Sequence, residues 1–385
     1  MSRRVRRWPR RLGVAALVVA VLAAGYLTTV GVLRYRTLVL PEPTGEQAVG
    51  RLITTVPAGS PTDPEPDRAA WIWYPASSTE TGSSARAEYA PLGWREGALP
   101  PTAGLGWMLQ DIGHVQAWAR SDAELAAGRW PLVALAPGFA TAPWMYTSVG
   151  EELASHGYIV ALSVPTTTPS RVVAGKEYTT PSPPQPQIAA IDRSADTQAT
   201  DLVAMVDALI GGRIPALAGQ VDHRTVVYGG HSLGGTAATL ACDHDERCPG
   251  SINMDGPQPD PARRDNRKPG LLIASDASCA AGNPCDAAGM PDARAEWLAL
   301  RHEQAPPSWE VAIAGAGHNA FGDPPFYFVA PPFGNLVGTG DIAPHRMQTV
   351  LTTVLIAALT DLRHNRAAPA LPELAAELPE LQPLT

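Results

Sequence analysis

Gly230-His231-Ser232-Leu233-Gly234 sets a serine between glycines, after the β-branched run from Val226 and before the small residues Gly235-Thr236-Ala237-Ala238. The order reads as strand, sharp turn, helix, with the glycines giving the neighbouring backbone room to pass a strained serine. A serine so exposed can be a nucleophile once a base takes its proton and a carboxylate orients that base. Of the nine histidines, His231 lies inside the turn and points away from Ser232. His156 and His302 fall on expected helices and His114 on a weakly expected one. His223, His244, His345 and His364 lie in polar surroundings that suit solvated side chains. Only His318 combines the end of a strand with a glycine loop, Gly315-Ala316-Gly317-His318, and it is the candidate base.

Two acids lie between Ser232 and His318 at strand ends, Asp255 and Asp276. Gly256-Pro257 after the first makes a tight turn able to aim a carboxylate, whereas Asp276 opens a polar loop where a turn-capping or solvated aspartate is expected. That favours Asp255. An acyl-transfer intermediate also needs donors for its oxyanion, and the backbone N–H groups of Leu233 and Phe139 are the candidates. Gly138 would let the loop of Phe139 approach closely, although Pro137-Gly138 also reads as a simple turn.

Positioning these groups requires short strands alternating with helices. Residues 71–75, 130–136, 157–162, 250–255, 270–276 and 309–314 read as strands. Residues 107–120, 145–156, 293–304 and 347–362 read as helices, and Asp192 could cap a helix whose core stripe is Leu202, Met205, Val206 and Leu209. Such alternation implies an α/β fold with a mostly parallel central sheet flanked by helices, in which Phe139, Ser232, Asp255, Asp276 and His318 all follow strand ends, where ligands bind. The order serine, acid, histidine is that of the α/β-hydrolase fold. Residues 163–187 read as a long loop and a candidate lid or rim. Trp94, Trp107, His114 and Trp118 could line an acyl pocket or cover the core.

Six arginines precede residue 12, and residues 12–33 carry no charge. A helix of that length reaches about 33 Å, against about 30 Å of bilayer hydrocarbon. The arginine excess orients residues 1–11 as a cytoplasmic tail and residues 12–33 as a membrane anchor, the alternative being a cleaved signal peptide and a secreted protein. Residues 34–70 are extended and proline-rich, 71–362 would form the hydrolase domain, and 363–385 a flexible surface tail. Taking the eight arginines of residues 1–36 from 29 basic residues leaves 21 against 37 acidic ones, a net of −16. An acidic exported part disfavours nucleic acid as a partner. Cys242, Cys248, Cys279 and Cys285 suit two local disulfides, 242 with 248 and 279 with 285, better than a zinc site. No metal or other cofactor is called for.

Seven stretches occur in one order: Leu40-Pro-Glu-Pro-Thr-Gly-Glu-Gln-Ala-Val-Gly50, Trp73-Tyr-Pro75, Pro137-Gly-Phe139, Leu153-Ala-Ser-His-Gly-Tyr158, Gly230-His-Ser-Leu-Gly-Gly235, Asn253-Met-Asp-Gly256 and His318-Asn-Ala-Phe-Gly-Asp323. In these the chain resembles the plasma-type platelet-activating-factor acetylhydrolases and their bacterial secreted relatives. The resemblance covers roughly residues 38–325. It implies metal-free hydrolysis of short or oxidised acyl esters through Ser232, Asp255 and His318. The chain departs from that pattern at Pro137, where an aromatic or histidine is usual, and over residues 76–129. Competing expectations are a cutinase-like or polyester hydrolase and a non-catalytic envelope protein on the same scaffold.

Overall fold

A computed structural model describes residues 8–60, 62–77, 85–95, 105–168, 170–173, 175–179, 188–259, 268–276, 308–331, 333–364 and 370–384. Cys279, Cys285 and the helix expected over 293–304 lie outside them. The first helix, α1 (Trp8–Arg34), contains a span of 24 residues, Arg11–Arg34, whose most apolar 18-residue window has a mean hydropathy of 2.2 and is only 6% buried. A core helix of that composition would be covered, so α1 presents its apolar sides outward.

The strands are β1 (Leu38–Val39), β2 (Ala48–Ser60), β3 (Asp63–Ala76), β4 (Arg86–Glu88), β5 (Val115–Ser121), β6 (Trp130–Ala136), β7 (Ile159–Ser163), β8 (Ser170–Val173), β9 (Lys176–Thr179), β10 (Val221–His231), β11 (Ser251–Met254), β12 (Gly270–Ser275), β13 (Ser308–Ile313) and β14 (Leu381–Pro383). The main sheet runs β1-β5-β2-β3-β7-β6-β10-β11-β12-β13-β14, with β4 on the flank of β5. From β7 to β13 every pairing is parallel, while β3 joins β7 and β14 joins β13 antiparallel.

The alternation of side chains along each strand divides the core in two. Trp71, Trp73, Val133, Leu135, Val160 and Leu162 face one side, against α2 (Thr147–Ser155) and α5 (Pro344–Arg363). Ala70, Ile72, Leu132, Ala134, Ile159 and Ala161 face the other, against α3 (Ile188–Ile210) and α4 (Leu233–His244). The expected stripe of Leu202, Met205, Val206 and Leu209 is buried in this second layer. A mostly parallel sheet covered on both faces is the α/β architecture that the alternating pattern implies.

Four local readings need correction. Residues 107–120 are not a helix: 3₁₀ turns over Leu105–Met108 and Ile112–His114 lead into β5. In β5 Val115, Ala117 and Ala119 are buried and Gln116 is exposed, so a period of two, completed by pairing to β1, β2 and β4, outweighs the weak helical signal. Asp192 does not cap α3, which begins four residues earlier, at Ile188. Residues 163–187 contain the hairpin of β8 and β9, with Val172 and Val173 packed on the core. The chain end forms α6 (Ala370–Glu377) and β14, with Leu371 and Leu381 buried, because the outer flank of β13 offers unpaired backbone groups to a short strand. Cys242 and Cys248 form a disulfide with Cα atoms 5.3 Å apart, closing the turn after α4.

Two buried carboxyls make stability depend on pH. Glu151 accepts from the backbone N–H groups of Trp118 and Ala119, at 2.9 and 2.7 Å, yet burial pushes its pKa up to about 7. Burial likewise raises Asp323 to about 7, against hydrogen bonds from Ser148 and Tyr89 that pull it down. A carboxyl with a raised folded pKa holds its proton after the unfolded chain has lost it, so stability falls as pH rises from about 4 to 7. Glu151→Gln keeps the acceptor for both N–H groups and removes the titration. Its melting temperature minus that of the wild type should therefore increase between pH 5 and 8; scanning calorimetry showing a constant difference would contradict the account.

Candidate active site

Parallel register brings the ends of successive strands to one edge. Gly230 pairs with Ala136 of β6, His231 with Met254 of β11, and Ser275 of β12 with Ile313 of β13. The residues just beyond, Phe139, Ser232, Asp255 and the loop carrying His318, therefore meet.

Ser232 joins β10 to α4 at φ 55° and ψ −128°, a conformation costly for a residue with a Cβ. Tight packing holds it there. A Cβ on Gly230 would collide with the carbonyl of Gly234, and one on Gly234 with that of Ala136. The N–H of Ser232 donates to the carbonyl of Met254 at 2.8 Å. Its Oγ lies 3.0 Å from Nε2 of His318.

Asp255 also has a positive φ, 55°. Asn253 shapes its turn, accepting from the N–H of Gly256 at 2.8 Å and donating through Nδ2 to the carbonyl of the same residue at 3.1 Å. One carboxylate oxygen of Asp255 accepts from the N–H of Ser275 at 2.7 Å, and the other lies 2.6 Å from Nδ1 of His318. A carboxylate only accepts, so Nδ1 carries the proton and Nε2 is left to accept from the Ser232 hydroxyl. Asp276 is exposed and accepts from the N–H of Gly315 at 3.0 Å, which ties it to the start of the histidine loop.

The expected oxyanion donors flank the serine. Leu233 is the first residue of α4, where no intrahelical acceptor exists. Among the described residues neither its N–H nor that of Phe139 has an acceptor. A Cβ on Gly138 would lie 3.2 Å from that of Ser232, a closeness that the missing side chain relieves.

His231 and Tyr146 belong to the site although the sequence reading set the first aside and did not single out the second. Nε2 of His231 lies 2.8 Å from the carbonyl of His318, so it carries the proton and donates. Burial lowers the His231 pKa to about 3, and a neutral ring protonated at Nε2 accepts at Nδ1. Tyr146 donates to that Nδ1 at 2.9 Å and accepts from the N–H of Gly138 at 3.0 Å. A directed chain thus runs from the glycine beside Phe139, through tyrosine and histidine, to the backbone of His318. The signal lay in the apolar position of His231 at a strand end, but its partners are 85 and 87 residues away in the chain.

A cavity of about 180 Å³ opens beside Ser232 and His318, walled by Leu109, Phe139, Met145, Tyr327 and Val337. None of the four aromatic candidates lines it. Trp94 is buried, edge-on to Trp71 at 5.3 Å; Trp118 donates to the carbonyl of Leu40 at 2.7 Å; and His114 and Trp107 are partly exposed outside it. Among the described residues no group of three or more His, Cys, Asp or Glu is arranged to hold a metal ion.

No family model and no curated protein matches the chain. Among solved structures it is similar to a ferulic acid esterase from Streptomyces cinnamoneus, with a TM-score of 0.70 and 23% sequence identity over 90% of this chain and 99% of that one. At that identity the likeness speaks for the fold.

Proposed function

We propose that the chain is an exported serine hydrolase of short or oxidised acyl esters, tethered by α1. The observation that carries this reading is the run of contacts from Ser232 Oγ to His318 Nε2, at 3.0 Å, and from His318 Nδ1 to Asp255, at 2.6 Å, at the mouth of an apolar cavity. The similarity to an esterase agrees with it.

In this reading His318 takes the hydroxyl proton as Ser232 attacks the ester carbonyl, and the N–H groups of Phe139 and Leu233 receive the oxyanion. His318 returns the proton to the departing alcohol, and water releases the acyl group by the same steps. Asp255 keeps the imidazole in the required tautomer. The cavity, about 180 Å³, is below the roughly 300 Å³ at which drug-sized ligand sites begin, which favours a short acyl group.

A fluorophosphonate should label the wild type at Ser232, and a chain-length series of p-nitrophenyl esters should show kcat/KM falling as the acyl chain lengthens. No label at Ser232 would overturn the enzyme reading, and a preference for long chains would overturn the substrate class. A second reading, hydrolysis of a hydroxycinnamoyl ester, is favoured by the similarity to a ferulic acid esterase. Higher kcat/KM on methyl ferulate than on p-nitrophenyl acetate would select it.

The chain from Gly138 to His318 gives a further expectation. Tyr146→Phe removes the acceptor for Gly138 and the donor to His231, leaving the ring in place. Misplacing reacting groups by about 1 Å costs on the order of a hundredfold, so kcat on p-nitrophenyl acetate should fall between about ten- and a hundredfold with KM little changed. Unchanged kcat would show the chain to be incidental.

A further inference from the structure

The outer end of α1 does not leave the domain freely; it docks beside the cavity. Tyr26, Val30 and Leu33 pack against Met108, Phe328, Val329 and Val337. Tyr26 donates its hydroxyl to the carbonyl of Pro331 at 3.0 Å and meets Phe333 edge-on at 6.2 Å. Arg34 donates to the carbonyl of Leu109 at 3.0 Å, and its own carbonyl accepts from the N–H of Asp111 at 2.9 Å. Leu109 and Val337 also wall the cavity, so the helix and the site share one side.

Length decides where this junction sits. The part of the uncharged run that precedes Tyr26, residues 12–25, rises about 21 Å, well short of the roughly 30 Å of hydrocarbon, whereas the whole run to Leu33 reaches about 33 Å. A spanning α1 must therefore place residues 26–33 inside the apolar layer or its boundary, together with whatever touches them. Tyr26 lies about 12 Å below Arg34 along the helix. The surface at that depth is suited to lipid. Residues 105–110 and 324–340 carry no charged side chain, although the exported part is strongly acidic. Within them Leu336 is 60% exposed, Phe333 40% and Trp107 37%.

We propose that this face, Trp107, Phe333 and Leu336 around the docked end of α1, is seated in the outer leaflet of the membrane that α1 crosses, so that the cavity opens at the lipid surface and receives amphipathic esters dissolved in the bilayer. The inference rests on α1 as an anchor and on the ester hydrolase reading. Trp and Phe suit the headgroup boundary, and a large exposed leucine beside a spanning helix is better covered by lipid than by water.

The test uses the full-length chain in phosphatidylcholine vesicles. An environment-sensitive fluorophore on Leu336→Cys should be quenched by lipids carrying a nitroxide on the acyl chain; emission from water without such quenching would overturn the seating. That readout needs no hydrolysis. If the wild type cleaves no ester, the proposed function fails while quenching alone still judges the surface. Phe333→Ser with Leu336→Ser should lower turnover of a long-chain alcohol acetate dissolved in the vesicles about tenfold, and leave soluble p-nitrophenyl acetate within about twofold. An equal effect on both substrates, or none on either, would overturn entry from the bilayer. Leu336→Phe should behave as the wild type on both.

Discussion

Ser232→Ala should abolish ester hydrolysis, with a loss on the order of a millionfold in kcat, the scale seen when a serine nucleophile is removed from a triad. The Oγ hydrogen-bonds to Nε2 of His318, and the turn is held by the Met254 carbonyl and by glycines on either side, none of which the substitution touches. Alanine retains the Cβ that Ser232 already accommodates at φ 55°. The melting temperature should therefore stay within a few degrees, since about 1 kcal/mol corresponds to roughly 2–4 °C in a domain of 150–250 residues and to less in a larger one. Steady-state kinetics on p-nitrophenyl acetate together with calorimetry check both halves. Turnover near that of the wild type in a folded variant would remove Ser232 from the mechanism.

Asp255→Asn should cost about 10⁴-fold in kcat, the effect of the same change on the orienting acid of serine proteases. An amide nitrogen facing Nδ1 of His318 would donate there, drive the imidazole proton to Nε2, and leave nothing to accept from the Ser232 hydroxyl. The contact being changed is 2.6 Å long, and the other oxygen holds the N–H of Ser275. Asp276→Asn is the matched control. It disturbs the contact with Gly315 at the start of the histidine loop, and a loss of about tenfold or less is expected from altered positioning. A larger loss at Asp276 than at Asp255 would move the acid to the later strand and withdraw the assignment made here.

What the sequence alone determined was local and periodic. A serine between glycines after a β-branched run, apolar runs bounded by turn residues, the stripe on α3 and the uncharged stretch of residues 12–33 each state their structure within about twenty residues, because backbone strain, period and length need no distant partner. The parallel sheet follows from their alternation. Period failed where pairing decides: β5 became a strand because β1, β2 and β4 lie beside it, and β14 because β13 offered an unpaired flank. The turn at Gly256-Pro257 favoured Asp255 over Asp276 in the sequence, and the tertiary structure added the 2.6 Å contact of that carboxylate with Nδ1 of a histidine 63 residues further on. It alone joined Gly138, Tyr146, His231 and His318 in one directed chain, and it alone put the end of α1 against the cavity wall. Contacts of that kind pair residues far apart in sequence, and they exist only once the sheet has fixed the distances between its strand ends.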